Sequence, residues 1–478
     1  MSEPSPQTRF RAAGLRDRIP PGGIRSALVG GNTVGGWIRE AAPRTDGYRH
    51  VDTPAMINRL RDLGANHYCF GIWDSPTDFD DLRFEFAPAA QEAGLQLLPY
   101  VVPPSETFSW GKASRPYRMD YIAWAEAFAR LALDFPVITA WAIDDFDWAE
   151  NPSVFTPDYL ARIRTAQLAI NPELGFFTCA YRPAATSDAF MIKYGPYLDG
   201  IIFPFLDGGN FNTIRTDQVG ADLAAVTETA GRYDVEVILL GYAGRWLAGL
   251  LPPTAEYAAG CLGPAVAAAS SGQLLGVVAY GLQLDGAPTI ANERRSMYGD
   301  GRGVLVSGQV PLTAGQYAQL STPITVQPDS PRHELSFWHS RAFGAEHPPR
   351  RGDFEIGVFL DDEQVWTGDV HDATWQQLWV QGHVLQGPVD VSTALRGKTE
   401  ATLRFRLTAL RDLDASSIDV GLDTIETIGF TVPDPGFEDP AAWRIDGTGG
   451  PIVAAVDLFE PDRPERIFAT VRDLYRAG

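Results

Sequence analysis

Between Ile24 and Tyr298 the chain repeats one pattern: a short unbroken apolar run, a polar or aromatic stretch, then an amphipathic segment. The apolar runs are SALVGG (26–31), NHYCFGIW (66–73), LQLLPYVV (95–102), VITAWAI (137–143), LGFFTCAY (174–181), GIIFPFL (200–206), VEVILLGY (235–242) and LGVVAYGL (275–282). Runs without polar alternation suit parallel strands covered on both faces. The segments between them have helical spacing. TPAMINRLRDLGA opens on a Thr cap and a Pro and closes at Gly64, and TPDYLARIRTAQLAINP repeats that grammar from Thr156. DYIAWAEAFARLALDFP and TDQVGADLAAVTETAGRY are also amphipathic. Strands alternating with helices predict a parallel sheet, and eight such units predict an α/β chain closed into a (β/α)8 TIM barrel over residues 24–302. No GxGxxG follows the first run and no GxxxxGK[ST] occurs. A nucleotide-binding fold therefore lacks its phosphate loop.

Past Arg302 the helical period gives way to alternation, in YAQLSTPITV, HELSFWHS, FEIGVFLDDEQVWTGDV, QQLWVQGHVL, ATLRFRLTAL and SIDVGLDTIETIGF. The turns PDSP, LDDE and RGK punctuate these runs. Residues 303–432 are thus expected to form an antiparallel β-sandwich or jelly roll. Residues 1–23 read as an N-terminal extension and 433–478 as a C-terminal one ending in a short helix. Ile467, Phe468, Val471 and Leu474 share one face of that helix, which is expected to pack back on the body.

Composition narrows the partners. The formal net charge of −21 repels phosphate backbones and anionic membranes, so neither nucleic acid nor a membrane is expected as a partner. The opening MSEPSPQTRFRAAGLRDRIPPGG has no apolar core of a leader, and no run is long enough to span a bilayer, so a cytoplasmic location is expected. Cys69, Cys179 and Cys261 form no CxxC pair and read as buried small hydrophobes. The seven histidines show no metal or triad spacing, and His67 reads as structural. No metal and no cofactor are expected.

In such a barrel the chemistry sits just past the carboxyl ends of the strands. Those positions offer Asn32 and Trp37 after the first run; Trp73, Asp74 and Asp78 after the second; and Ser105, Glu106 and Trp110 after the third. They offer Asp144, Asp145, Asp147, Trp148 and Glu150 after the fourth; Tyr181 and Arg182 after the fifth; and Asp207 and Asn210 after the sixth. Tyr242, Arg245 and Trp246 follow the seventh, and Tyr280, Gln283 and Asp285 the eighth. Carboxylates and aromatics gather together. Cleaving a glycosidic bond needs one carboxyl to protonate the leaving oxygen and another to attack the anomeric carbon or activate water. Aromatic faces suit sugar rings, and Asn, Gln and Arg suit hydroxyls.

The densest stretch is AWAIDDFDWAENP (140–152). Crowded acids raise at least one pKa, which makes a proton donor near neutral pH. On an extended chain Asp144 and Asp145 point to opposite sides, so only one is expected to face the barrel axis. Catalytic candidates are Asp144, Asp145, Asp207 and Glu106. Substrate-binding candidates are Asn32, Trp37, Trp73, Asp74, Trp110, Asp147, Tyr181, Arg182, Tyr242, Trp246 and Tyr280. Each has a plainer alternative: Asp207 and Asp74 as turn formers, Glu106 as a cap, the loop tryptophans as packing. Trp124 and Trp141 lie in core patterns.

On these strand ends the barrel half resembles the TIM-barrel glycoside hydrolases. It resembles the alpha-galactosidase-like clan most, which uses an Asp after strand 4 and an Asp after strand 6. That resemblance implies a retaining glycosidase with Asp144 or Asp145 as nucleophile and Asp207 as acid/base. DFDWAE (145–150) is similar to the DxDWE run of the chitinase-like family, with Ala149 inserted. The stretches FEIGVFLDDEQVWTGDV, VDVSTALRGKTEATLRFRL and SIDVGLDTIETIGF resemble the galactose-binding-like sandwiches fused to such enzymes. The resemblance implies a module that binds carbohydrate, buttresses the barrel or makes subunit contacts in a homo-oligomer. The expectation is a glycosidase of oligosaccharides or small glycosides. The alternatives are a carbohydrate-binding protein with a degenerate barrel, or a metal-dependent hydrolase or lyase.

Overall fold

The computed structural model describes residues 9–29, 38–73, 75–244, 251–285, 299–308, 310–343, 349–370, 383–414 and 417–478. Eight parallel strands close on themselves: β1 (Ile24–Val29), β2 (His67–Ile72), β3 (Gln96–Val101), β4 (Ala140–Ile143), β5 (Gly175–Cys179), β6 (Gly200–Pro204), β7 (Glu236–Tyr242) and β8 (Gly276–Tyr280). Each falls within, or within two residues of, one of the apolar runs. β1 closes the barrel against β8 in register from Ile24 opposite Gly276 to Leu28 opposite Tyr280. The close approach at that seam explains Gly276, where a Cβ would lie 2.2 Å from that of Ile24. β2 and β4 are buried along their whole length, as strands covered on both faces must be.

The helices begin where the caps predict, with one shift. Thr156 caps Pro157–Ile170 by accepting from Tyr159 N at 3.2 Å. Thr53–Leu63 is capped by Asp52, not Thr53: the Asp52 carboxylate accepts from Ala55 N at 3.0 Å, which moves Thr53 into the first turn. Trp124 and Trp141 are fully buried, and the three cysteines are buried and free.

The second unit is a sandwich of two antiparallel sheets. One runs β13 (Glu363–Asp369), β12 (Phe354–Leu360), β15 (Glu400–Ala409), β10 (Tyr317–Val326) and β17 (Phe430–Thr431), with β18 (Arg444–Gly447) also on β10. The other runs β14 (His383–Asp390), β11 (Glu334–Phe343), β16 (Ile418–Ile428), β9 (Gly301–Ser307) and β19 (Ile452–Leu458). Strict alternation along β15 puts Leu403, Phe405 and Leu407 into the core between the sheets.

Among the described residues, two connections tie the units together. Leu251 packs with Val304 and Val306 of β9 and Val453 of β19, so the β9–β19 edge faces the barrel. The loop after β6 lies in this seam, close enough that a Cβ on Gly308 would sit 2.8 Å from the Asn210 carbonyl oxygen. The second connection is the helix Arg463–Ala477, which packs against Thr53–Leu63 and Ala255–Ser270. Those helices follow β1 and β7, so this one occupies the place of a helix following β8. Ile467, Phe468, Val471 and Tyr475 are buried in the barrel core, and the Tyr475 hydroxyl donates to the Ser26 carbonyl at 2.6 Å. Leu474 lies at the margin, partly buried.

Candidate active site

β4 ends at Ile143 and the chain turns at once. Asp145 adopts a left-handed φ of +37°, which a non-glycine residue holds only when its surroundings enforce it. Asn151 supplies the enforcement. Its Nδ2 donates to the Asp145 carbonyl at 2.6 Å and to Ser105 Oγ at 2.9 Å, while its Oδ1 accepts from Ser105 N at 2.8 Å. The loops after β3 and β4 are thereby locked together by one buried amide. The turn has a consequence that an extended chain excludes. Oxygens of both Asp144 and Asp145 lie within 4.8 Å of one another and of Cys179 Sγ. Both carboxylates therefore converge, where alternation predicts one.

Each carboxylate has its own phenol. Tyr100 Oη donates to Asp144 Oδ1 at 2.9 Å, and Tyr181 Oη donates to Asp145 Oδ1 at 2.7 Å. Asp144 Oδ1 also accepts from Asp145 N at 3.0 Å. Burial and the neighbouring Glu106 push the Asp144 carboxyl up to about 6. Burial, then Asp144 and Glu106, hold the Asp145 carboxyl well above the usual range. Two like charges this close titrate as a pair, and the pair keeps a proton that an isolated Asp would lose. Burial alone pushes Asp147 up to about 7; it accepts from Tyr181 N at 3.2 Å.

Glu106 sits in the first turn of the helix Pro104–Trp110 and pairs with Lys112 at 3.3 Å. The Lys112 ammonium lies 4.8 Å from the centre of the Trp73 ring, and Trp73 meets Tyr100 edge-on at 5.7 Å. Trp73 is nearly buried, so it is a wall of the site and not a protruding loop platform. Tyr242 and Tyr280 pack edge-on at 5.5 Å. Burial raises both phenols, and the charges of Asp144, Asp145 and Glu106 add to the shift at Tyr280. One constellation thus gathers Trp73, Glu106, Asp144, Asp145, Asp147, Tyr181, Tyr242 and Tyr280.

Asp207 and Arg182 belong to other contacts. Asp207 is fully buried at a φ of +48°, accepts from Asn212 Nδ2 at 2.7 Å and lies 3.8 Å from Arg215 Nε. Its carboxylate orders the loop that meets the sandwich. Arg182 Nε donates to Asp222 at 2.5 Å, and Asp222 also accepts from Gly208 N at 2.9 Å. Asp78 accepts from Trp73 N at 3.2 Å and Ser75 N at 2.9 Å and pairs with Arg39 at 3.0 Å. Asn32, Trp37, Asp74 and Trp246 lie outside the described residues, as does the side chain of Trp110.

Tyr100, Lys112 and Asn151 were not foreseen in the sequence. Tyr100 was the findable one: it is the one hydroxyl-bearing side chain in LQLLPYVV, near the carboxyl end of its strand. A metal would find a poor donor set at the Asp pair. Burial and the nearby carboxylates raise the Cys179 thiol well above its ordinary value, so a thiolate ligand is disfavoured there.

No family model matches the chain, and no curated protein matches it. Among solved structures it is similar to a glucosidase from Croceicoccus marinus, with 11% identity, 80% of this chain and 99% of that one covered, and a TM-score of 0.35. A β-1,4-mannanase overlaps 54% of this chain and 88% of its own, at 11% identity and a TM-score of 0.37. An exo-β-1,4-mannosidase from Opitutaceae bacterium strain TAV5 overlaps 59% of this chain and 54% of its own, at 15% identity and a TM-score of 0.36. Overlaps of this extent carry no assignment; the barrel stands on its own strand pairing.

Proposed function

We propose that the protein is a glycoside hydrolase of oligosaccharides or small glycosides, with the Asp144–Asp145 pair as proton donor and Glu106 as the opposing carboxylate. The observation that carries this reading is the convergence of two carboxylates, each fixed by a phenol, with a third carboxylate, paired with Lys112, acting on both. Glycosidic cleavage needs one carboxyl that is protonated near neutral pH and one that is not. Asp144 has two donors and Asp145 side-chain oxygen one, which favours the proton on Asp145. Asp145 then protonates the leaving oxygen while Glu106 attacks the anomeric carbon or takes a proton from water. Trp73, Tyr242 and Tyr280 supply the apolar wall for a sugar ring. Asp207 orders the loop after β6 in this scheme and does not act as the acid/base that the clan resemblance implies.

The test is hydrolysis of a panel of aryl and natural glycosides by the wild type and by D145N and E106Q. The D145N variant is expected to lose about 10²–10⁴-fold on natural glycosides and far less on aryl glycosides whose leaving group needs no proton. Azide is expected to rescue E106Q if it is the nucleophile. Equal losses on both substrate classes in D145N, or wild-type turnover in both variants, would overturn the assignment.

A further inference from the structure

The chain between β1 and Thr53–Leu63 forms a hairpin on the rim of the barrel mouth. Arg39 and Val51 pair antiparallel, Glu40 N donates to the His50 carbonyl at 3.0 Å, and Arg44 N donates to the Tyr48 carbonyl at 2.9 Å. The hairpin lies on the helical turns Asp78–Asp81 and Leu82–Phe86, which follow β2. Asp78, Asp81 and Glu85 fall at helical spacings of three and four, so they share one face. The hairpin brings a basic side chain to each. Arg39 pairs with Asp78 at 3.0 Å, His50 with Asp81 at 2.5 Å, and Arg44 with Glu85 at 2.5 Å. Two of these partners are guanidiniums, which hold their charge at any working pH. The third is an imidazole, the side chain whose charge changes near neutrality.

His50 is buried and meets a carboxylate at each ring nitrogen. Nδ1 lies 2.5 Å from Asp81 Oδ1, and Nε2 lies 2.8 Å from Asp46 Oδ2. Asp81 is itself fixed, its Oδ2 accepting from Val51 N at 3.1 Å and Thr77 Oγ1 at 3.2 Å. A neutral imidazole has one N–H and one lone pair, so it satisfies only one of these carboxylates; the imidazolium donates to both. Burial by itself lowers the pKa of the ring, but the bonds to Asp46 and Asp81 outweigh it and hold the ring above its ordinary value. The other charges around it are Glu40 and Arg44 in the hairpin and Glu85 in the helix, both glutamates being paired with Arg44. Asp52, which follows Val51, caps Thr53–Leu63. On losing its proton, the ring keeps its remaining N–H for the buried Asp81 and turns a lone pair on Asp46, whose exposed carboxylate then moves to water.

We infer that the hairpin 38–52 is a latch closed by a proton. With His50 charged it is seated on the helix; with His50 neutral its turn lifts and slackens the wall of the mouth at Trp73. The route to that wall is short. Asp78, on the same helical face as Asp81, takes Arg39 from the hairpin and accepts from Trp73 N and Ser75 N. Linkage sets the sign. A group whose folded pKa is raised stabilises fully below its unfolded pKa and ceases to do so as pH rises through the folded one. The latch is therefore seated in mild acid and loose in mild alkali. The behaviour of the hairpin is independent of the glycosidase reading, and its effect on turnover rests on that reading.

The test is hydrogen–deuterium exchange of the full chain at pH 6 and pH 8.5, corrected for the intrinsic rate and read on peptides covering 38–52. Their protection is expected to fall about tenfold or more at the higher pH, while that of Thr53–Leu63 changes little. H50Q, which offers donors at one end only, is expected to show the low protection already at pH 6. Should H50Q fold poorly, D46N, at an exposed turn, is expected to lose part of the protection at pH 6 in a folded protein. On a glycoside at pH 6, H50Q is expected to raise KM severalfold and to change kcat less. E106Q and D145N test the glycosidase reading, and exchange tests the latch without substrate, so each can fail alone. His50, Asp81 and Glu85 also bring ligand atoms within 4.8 Å of one another. Zinc that raises the protection at pH 8.5 in the wild type would assign this cluster to a metal and overturn the latch. Equal protection at the two pH values, or the same fall in the wild type, H50Q and D46N, would overturn it as well. An unchanged KM in H50Q would overturn its action on the site.

Discussion

A carboxyl's neighbours decide how its proton behaves, and oxygens of Asp144 and Asp145 lie within 4.8 Å of one another. Removing the charge of Asp144 removes the repulsion that helps hold the Asp145 proton. The D144N variant is therefore expected to show its high-pH loss of kcat/KM at a lower pH than the wild type, in addition to a lower kcat. A pH–rate profile on one glycoside reads this shift, and an unmoved limb would mean that the two groups do not titrate together. Asp147 permits a stability test at the same scale. Its folded pKa of about 7 exceeds the unfolded value of about 3.9, so the folded protein binds the extra proton between those values. The stability it lends is complete below the unfolded pKa and is lost as pH rises through about 7. D147N is expected to exceed the wild type by about 1–3 kcal/mol at pH 8 and to match it near pH 3, by denaturant titration at both pH values. The acids themselves were legible, because AWAIDDFDWAENP sets Asp144, Asp145, Asp147 and Glu150 directly after the fourth run. Their convergence was not, because it depends on the positive φ at Asp145, and nothing in the local sequence DDFD requires that conformation.

At the level of elements, the site rests on contacts between loops. Asn151 is the clearest case, since this fully buried amide makes three hydrogen bonds that join two loops. N151A is expected to cost about 2–4 kcal/mol of stability and to lower kcat more than it raises KM, read by thermal melts and steady-state kinetics. A second path comes from the sandwich. Phe211, in the loop after β6, stacks on Tyr181 at 5.4 Å, and its carbonyl lies 3.0 Å from where a Cβ on Gly308 would be. The ring that donates to Asp145 thus leans on a loop pressed between the two units. F211A is expected to lower kcat about tenfold or less, read by steady-state kinetics. The eight strands were legible because double burial writes continuous apolar runs. The helix caps were legible to within one residue: Thr53 and Asp52 are both good caps, and the turn geometry chose Asp52. Asn151 and Phe211 were not legible, because an amide and a phenyl ring in loops carry no periodic signal.

For the whole molecule, the helix Arg463–Ala477 decides the architecture. Its Phe468 is fully buried and lies 3.3 Å beneath the Arg59 guanidinium. F468A is expected to cost about 3–5 kcal/mol and to melt the barrel earlier, followed by tryptophan fluorescence, most of the tryptophans being in the barrel half. The apolar face of this helix was legible, but its destination was not, since amphipathicity says that a face is buried and not against what. Its position between the helices after β1 and β7 means that the sandwich is spliced into the barrel ahead of one of the barrel's own helices.

That splice sets an order of events on the ribosome. The peptide that covers the β8–β1 seam is made only after every strand of the sandwich has been made. The nascent barrel must therefore wait, with an apolar flank on Thr53–Leu63 and Ala255–Ser270 uncovered, while the sandwich is translated. The sandwich can condense first, and its folding brings the trailing helix back to the flank that awaits it.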